Sequence, residues 1–471
     1  MDQQAGREHL GNGWRQGSGH VRCGTIRRPG GIVRLGKGNL GSDRGNTGGL
    51  GLSLEGPLVL RIGLDDTDHP LSGCTTSAFD ELITHLLERI PDAEVNERTL
   101  VRLWPFAERR TRGNGALSAQ ITIDGSQIGE FRQSCQEWFD RMLAEVSEHP
   151  PSKVPAAPVL VVSEGPVPEE WYWETVSGHV DLEPRLKQVR ADGCWLLAGE
   201  RLWGAVGASA AIAWSPNSSS TWELIAWREP GMIGLPRQVT SDSVRLMERR
   251  NPMTFVNRDP TADRGLIAPR TPCPVLYGIR GRTSESVVKA HRWMQVRTDV
   301  ERSTRWAVHR TNQLSDDHLG TVSYGTVINH PEETKGAHSN VAVVSNGNRI
   351  SLVAFSEGGP VNRLLRRLQV GDRVAWLGLI APDGAFHLER LSLRDPTPRV
   401  AGRPQCCGKS MRSGGAGQQL RCRECGSKAV REWVSTDADV SDIEAVANWS
   451  EPTPSNRRHL SRPLELGLPG T

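Results

Sequence analysis

Leu58-Val59-Leu60-Arg61-Ile62-Gly63-Leu64 is a short apolar run, and it leads directly into Asp65-Asp66-Thr67-Asp68. That pattern reads as a buried strand carrying a site at its carboxyl end. Three carboxylates in four residues are costly there unless a cation sits among them. Crowded hard oxygen ligands suit Mg²⁺, which in turn bridges nucleotide phosphates. The competing reading is a solvated turn whose aspartates cap the helix that follows.

Downstream, residues 75–88 read as an amphipathic helix, with Ala78, Phe79, Leu82, Ile83, Leu86 and Leu87 at three- and four-residue spacing. Residues 100–103 and 116–123 are strand candidates. A second helical stripe runs through Phe131, Cys135, Trp138, Phe139, Met142 and Val146, and Pro150-Pro151 closes the unit. A β-α-β-β-α order implies a small α/β layer over residues 58–156. Arg109-Arg110-Thr111-Arg112-Gly113-Asn114-Gly115 sets three guanidinium groups beside a Gly-rich turn. Guanidinium forks match phosphate oxygens, and glycines let backbone N–H groups approach an anion.

The segment before this unit, residues 1–57, contains 16 Gly, eight basic and four acidic side chains, and no sustained period. Such composition buries too little apolar area to offset chain entropy, so a disordered Gly/Arg-rich extension is expected. An alternative is that the natural start lies later and this is upstream sequence read in frame. Pro155 to Pro158 reads as a linker to a second unit, residues 157–318. That unit includes the small-residue run 204–214 and the alternating strand 221–228.

Residues 319–396 look all-β with one helix. Strands at 321–328, 341–344, 350–355, 373–379 and 386–393, a hairpin turn at Asn346-Gly347-Asn348, and a helix at 361–368 give the order of an OB-fold barrel. Residues 403–433 carry Cys406, Cys407, Cys422 and Cys425 with seven basic and two acidic side chains. Cys422-Arg423-Glu424-Cys425 has the spacing of a zinc knuckle. Its partner pair, Cys406-Cys407, is adjacent, and adjacent side chains diverge. Cys407, Cys422 and Cys425 are therefore the expected ligands, with Cys406 or another group as the fourth. Residues 434–471, acidic and Pro-containing, are expected to form a disordered tail.

Whole-chain composition excludes several classes. No run approaches 18 apolar residues, so no spanning helix is expected and no membrane partner. The first thirty residues lack a signal-peptide core, which points to the cytoplasm. Nine cysteines, four of them within twenty residues, fit a reducing compartment with a metal site better than a disulfide framework. The formal charge is +3, and the first 57 residues already hold +4 of it. The rest is thus no general nucleic-acid coat, and any RNA contact must come from local patches such as 403–433.

Several motifs also carry a resemblance in one chain order. They are Gly63-Leu64-Asp65-Asp66-Thr67-Asp68, Cys74-Thr75-Thr76, Thr111-Arg112-Gly113-Asn114-Gly115, Gly204 to Ala211, Glu223-Leu224-Ile225-Ala226, Asn251-Pro252-Met253-Thr254-Phe255, Tyr277-Gly278-Ile279-Arg280-Gly281, and Thr311-Asn312-Gln313 with Asp317-His318. Over roughly residues 58–433 the chain resembles the archaeal tRNA-Ile 2-agmatinylcytidine (agmatidine) synthetases, the TiaS family. The resemblance implies a multidomain α+β protein: a small α/β kinase-like domain, a ferredoxin-like domain, an OB-fold β-barrel and a zinc ribbon.

It implies an ATP-dependent carbon–nitrogen ligase that phosphorylates the C2 oxygen of the wobble cytidine in a CAU anticodon of tRNA-Ile. Agmatine then replaces that oxygen. Its partners would be that tRNA, agmatine and ATP, with no DNA and no membrane, and its cofactors Mg²⁺ and Zn²⁺. Asp65, Asp66 and Asp68 match the family's metal and catalytic cluster, and Thr75 its self-phosphorylated Thr. Thr67, Arg110, Arg112, Gly113, Asn114 and Gly115 fall on its nucleotide-binding positions. The family's Gly-Met-Cys-Thr-Thr-Tyr stands here as Ser72-Gly73-Cys74-Thr75-Thr76-Ser77, and Trp222 and Trp227 stand where it has Tyr. The rival reading is a non-catalytic OB-fold and zinc-ribbon RNA-binding protein.

Overall fold

The opening apolar run forms β1 (Pro57–Asp65), followed by α1 (Thr75–Arg89), β2 (Glu94–Arg102), β3 (Gly115–Asp124) and α2 (Ile128–Ser147) in a computed structural model. The structure describes residues 56–69, 73–108, 113–148 and 152–470. The expected extension lies outside these, apart from Gly56 and Pro57. β1 and β2 both pair antiparallel with β3. Strand alternation sends Leu60, Ile62 and Leu64 to one face, where Phe79 and Leu82 of α1 meet Phe131 and Phe139 of α2 in a buried core. Burying each such side chain contributes roughly 1.5–3 kcal/mol.

The chain continues through β4 (Val159–Ser163), α3 (Glu170–Ser177), α4 (Leu182–Ala191), β5 (Trp195–Ala198), α5 (Gly204–Ala213), β6 (Thr221–Trp227) and α6 (Ser241–Arg250). A short hairpin, β7 (Arg258–Asp259) and β8 (Arg264–Gly265), precedes β9 (Val275–Gly281), α7 (Ser284–Gln295) and β10 (Arg305–Thr311). Both halves share one eight-stranded sheet, ordered β5-β4-β1-β3-β2-β10-β6-β9. The expected boundary at 156/157 falls between α2 and β4, and the strands on both sides of it belong to this one sheet. The proline-rich linker only turns the chain back, so that β4 pairs antiparallel with β1 and β5 with β4. The halves meet at β2 and β10, a parallel pair. There the Asn312 side chain accepts from the Arg102 amide at 2.7 Å and donates to the Arg102 carbonyl at 2.9 Å, extending the ladder by one rung.

The barrel consists of β11 (Ser323–Val327), β12 (Glu332–Glu333), β13 (Ser339–Ser345), β14 (Asn348–Ala354), α8 (Pro360–Arg366), β15 (Arg373–Ile380) and β16 (Phe386–Asp395). All but β12 close a five-stranded barrel through β11–β13, β13–β14, β14–β16, β16–β15 and β15–β11. Asn346 and Gly347 have φ of 48° and 79°, the left-handed pair a two-residue hairpin needs.

Beyond it come strands of two to four residues: β17 (Arg399–Gly402), β18 (Gln405–Cys406), β19 (Lys409–Ser410), β20 (Arg412–Ser413), β21 (Leu420–Arg421), β22 (Lys428–Ala429) and β23 (Val434–Thr436). The tail expected to be disordered is instead a strap packed on the molecule. Trp449, Leu460 and Leu464 are buried, and Leu460 joins the core beneath α5. Its acidic residues pair with arginines, Asp442 with Arg367 and Glu451 with Arg457. Apolar anchors without a period, in a segment with only one three-residue strand and one turn of 3-10 helix, leave little pattern to read.

Candidate active site and cysteine cluster

β1 carries Asp65 at its own carboxyl end, and Asp66 follows with a φ of 60°. Asp and Asn tolerate this left-handed region better than other side chains with a Cβ. The Asp66 amide donates to Asp65 Oδ1 at 2.7 Å. The small-residue run forms α5, and its glycines explain how closely it seats against β1. A Cβ on Gly63 would stand 2.3 Å from the Ala208 carbonyl oxygen, and one on Gly207 only 1.8 Å from Asp65 Oδ2. Burial pushes the Asp65 carboxyl well above the usual carboxylate range, and the neighbouring Asp66 and Asp68 add to the effect. A divalent cation at this end would reverse that cost.

Asp68 also serves the competing role. Its carboxylate accepts from both the amide and, at 2.9 Å, the hydroxyl of Thr75 at the start of α1. Thr67 donates to the same Thr75 oxygen at 3.2 Å. The three aspartates line one cavity, but their oxygens do not converge on a point. Among the described residues only the four cysteines bring three or more such ligand atoms together. Mg²⁺ needs no carboxylate cage, because it usually takes one or two carboxylates plus phosphates and waters. Asp65 and Asp66 fit that demand.

The cavity, of about 690 Å³, is lined by the three aspartates, Thr75, Gly113, Asn114 and Gly115, which the sequence singled out. Thr67 lies just behind, through its bond to Thr75. The volume falls within the range of roughly 300–1,000 Å³ that suits a nucleotide-sized ligand. Asn114, at φ 40°, donates its side-chain amide to the Trp104 carbonyl at 2.6 Å and holds the turn. Arg110 and Arg112 lie outside the described residues.

Sequence reasoning assigned no role to the cavity's other wall. Glu223 of β6 is 2% exposed; Arg102 Nη2 approaches it at 3.3 Å, Arg280 Nε at 3.6 Å, and Gln313 donates to it. Gly278 leaves its space, since a Cβ there would lie 2.5 Å from Glu223 Oε1. One signal was available: an acidic residue stands inside an otherwise apolar alternating strand. His459, from the strap, completes this wall and carried no such signal.

In the cysteine module the four Sγ atoms lie within 4.8 Å of one another, with Cys406–Cys425 at 3.4 Å and Cys406–Cys407 at 4.0 Å. Tetrahedral Zn–S bonds place sulfurs about 3.8 Å apart, so the set fits zinc. Cys407 has φ 51°, and this left-handed turn makes adjacent side chains converge. Cys406 thereby joins the other three cysteines in one cluster that could hold an ion. The hydroxyl and amide of Ser427 pull the Cys425 thiol down to about 6, which favours thiolate where a cation would bind.

The chain is also similar to known proteins over most of its length. Residues 61–196 match the family model described as the TiaS TCKD domain, and residues 203–318 the TiaS FLD domain. The chain is similar to the tRNA 2-agmatinylcytidine synthetase TiaS of Methanocorpusculum labreanum, 31% identical over 85% of this chain and 95% of that protein. The Pyrococcus horikoshii protein of the same name is 31% identical over 87% and 97%. Among solved structures, apo TiaS superposes with a TM-score of 0.71, and the complex of TiaS with its isoleucine tRNA and ATP with 0.72. Each is 27% identical and covers 87% of this chain and 97% of its own.

Proposed function

The chain belongs to the TiaS family of tRNA 2-agmatinylcytidine synthetases, and from that premise we propose that it uses ATP to attach agmatine to C2 of the wobble cytidine in the CAU anticodon of tRNA-Ile. One phosphoryl group of ATP goes to the C2 oxygen, which agmatine then displaces as phosphate. The second goes to Thr75 and from there to water, so each turnover converts ATP and water to AMP and two phosphates, and decoding shifts to AUA codons. The reaction runs in the cytoplasm, where the tRNA is used. The observation that carries this reading is the single cavity in which the aspartates of β1 face the Gly113–Gly115 turn.

Asp65 and Asp66 would hold Mg²⁺, which supplies charge neutralisation at the phosphates. Asp68 holds Thr75, the residue that matches the family's phosphorylated Thr, by its hydroxyl. Thr67, Gly113, Asn114 and Gly115 frame the nucleotide, and the sequence positions of Arg110 and Arg112 suit phosphate binding. A carboxylate can take the proton that an incoming agmatine amine must lose to attack. The first unit is kinase-like and the second ferredoxin-like. The barrel is an OB-fold which, with a zinc ribbon built on Cys406, Cys407, Cys422 and Cys425, grips the tRNA. A non-catalytic RNA-binding protein has no use for Asp65 and Asp66 set into a nucleotide-sized cavity.

The test mixes protein, ATP and the tRNA with and without agmatine and follows AMP. Release that requires the tRNA, with agmatine incorporated into it, supports the reading; tRNA binding without AMP release refutes it.

A further inference from the structure

The strap is fastened on both sides of the point where it passes the cavity. The Leu314 amide donates to the His459 carbonyl at 3.1 Å, and the Asp316 amide to the Leu460 carbonyl at 2.9 Å. The Arg462 amide donates to Asp316 at 2.7 Å. On the barrel side, buried Glu389 of β16 takes the Ser461 hydroxyl and the Arg458 guanidinium. These bonds fix the backbone of His459 and leave its imidazole in the cavity. His459 Nε2 and Arg102 Nη1 flank one spot, 3.3 and 2.4 Å from where a Cβ on Gly113 would stand.

Arg102 and Arg280 share the single carboxylate of Glu223. Two guanidinium groups on one carboxylate leave a net positive charge, and Arg102 Nε is buried without a hydrogen-bond acceptor among the described residues. The cavity thus has a carboxylate wall from β1 and, opposite it, a wall of N–H donors with charge to spare. A phosphate bridged to a cation on its far side completes both walls at once.

We propose that His459, Arg102 and Arg280 form a phosphate-binding wall, with the strap supplying the imidazole. The ligand is a phosphoryl oxygen, carried either by ATP or by the phosphorylated cytidine. This rests on the ATP-dependent reading above. Desolvation by the surrounding cavity wall, and then Arg102 and Arg280, lower the His459 pKa, while the residue stays open to the cavity. A ring N–H there is one more donor to a phosphoryl oxygen.

The experiment compares full-length His459→Ala and His459→Gln with the unsubstituted protein. It measures ATP affinity without tRNA, tRNA affinity without ATP, saturating AMP release and melting temperature. If ATP carries the phosphate, His459→Ala weakens ATP binding about tenfold and leaves tRNA binding unchanged. If the cytidine carries it, both affinities hold and saturating turnover falls about tenfold. In either case the amide donor of His459→Gln recovers part of the loss, and melting stays unchanged. Unchanged ATP affinity, tRNA affinity and turnover in His459→Ala overturn the proposal. So does an equal loss in both variants accompanied by lower melting, which would make His459 an anchor only. Failure of the synthetase reading looks different: the unsubstituted protein would release no AMP with tRNA and agmatine, while a weakened ATP affinity in His459→Ala would still stand.

Discussion

The cavity and the cysteine module hold their functional side chains by opposite means. Asp65 ends a strand paired on both sides, and its carboxylate rests against the backbone of α5 at Gly207. Packing against α5, with the Asp66 amide bonded to its Oδ1, gives the carboxylate its position. The module has strands of two to four residues, and its buried apolar group is Met411, Leu420 and Cys422. So small a core cannot offset the entropy of ordering some thirty residues. A metal on the four thiolates would supply what packing does not. One site is built by its core; the other would build its own core around an ion.

Four measurements can break or sharpen this contrast. The largest effect is expected from Asp66→Asn. Asn also tolerates φ near 60°, so melting and tRNA affinity stay unchanged, while AMP release falls roughly 10²- to 10³-fold through lost cation positioning. Near-normal release would remove Asp66 from the metal site. Gly207→Ala comes next. Its methyl collides with Asp65, and the overpacking should cost about 1–3 kcal/mol of stability along with most of the activity. Wild-type melting in this variant would show that the seat of Asp65 is loose.

Chelation, or Cys407→Ser, should weaken tRNA binding about tenfold at low salt and flatten its salt dependence, because the ordered patch carries seven basic against two acidic residues. ATP affinity and the main melting transition should survive, since the sheet does not depend on the ion. A main transition that shifts with chelation would contradict the separation of the two sites. The smallest effect, expected to be none, is removal of residues 1–55: Gly-rich sequence without a period offers no core contacts, so melting and activity at physiological salt should be unchanged.

What could be read in advance follows the same division. The cysteines announce themselves by spacing, because a module that small is little more than its ligands. β1, α1 and α2 were legible because their apolar residues recur at the period of the element. Glu223 and Arg280 were harder, since each is a single charged residue in a strand whose neighbours say only that the strand is buried, and Arg102 ends a strand already rich in charged residues. What makes them a group is a sheet order in which β2 and β6 both flank β10, and no local pattern encodes that. His459 was invisible: its segment has no period, its composition suggested disorder, and only tertiary bonds order it.

The rung made by Asn312 on Arg102 has a consequence for how this protein comes into being. Those residues lie 210 positions apart, and the parallel pairing they close is what joins the two halves of the sheet. A nascent chain could fold β1, α1, β3 and α2 early, because their contacts are local. It would then hold an open sheet edge at β2 until β10 left the ribosome, and long-range parallel pairing is intrinsically slow. During that interval the aspartates and Arg102 have been made, but Glu223, Arg280 and His459 have not all joined them. The order of synthesis therefore leaves the cavity incomplete until β6, β9, β10 and the strap have been made.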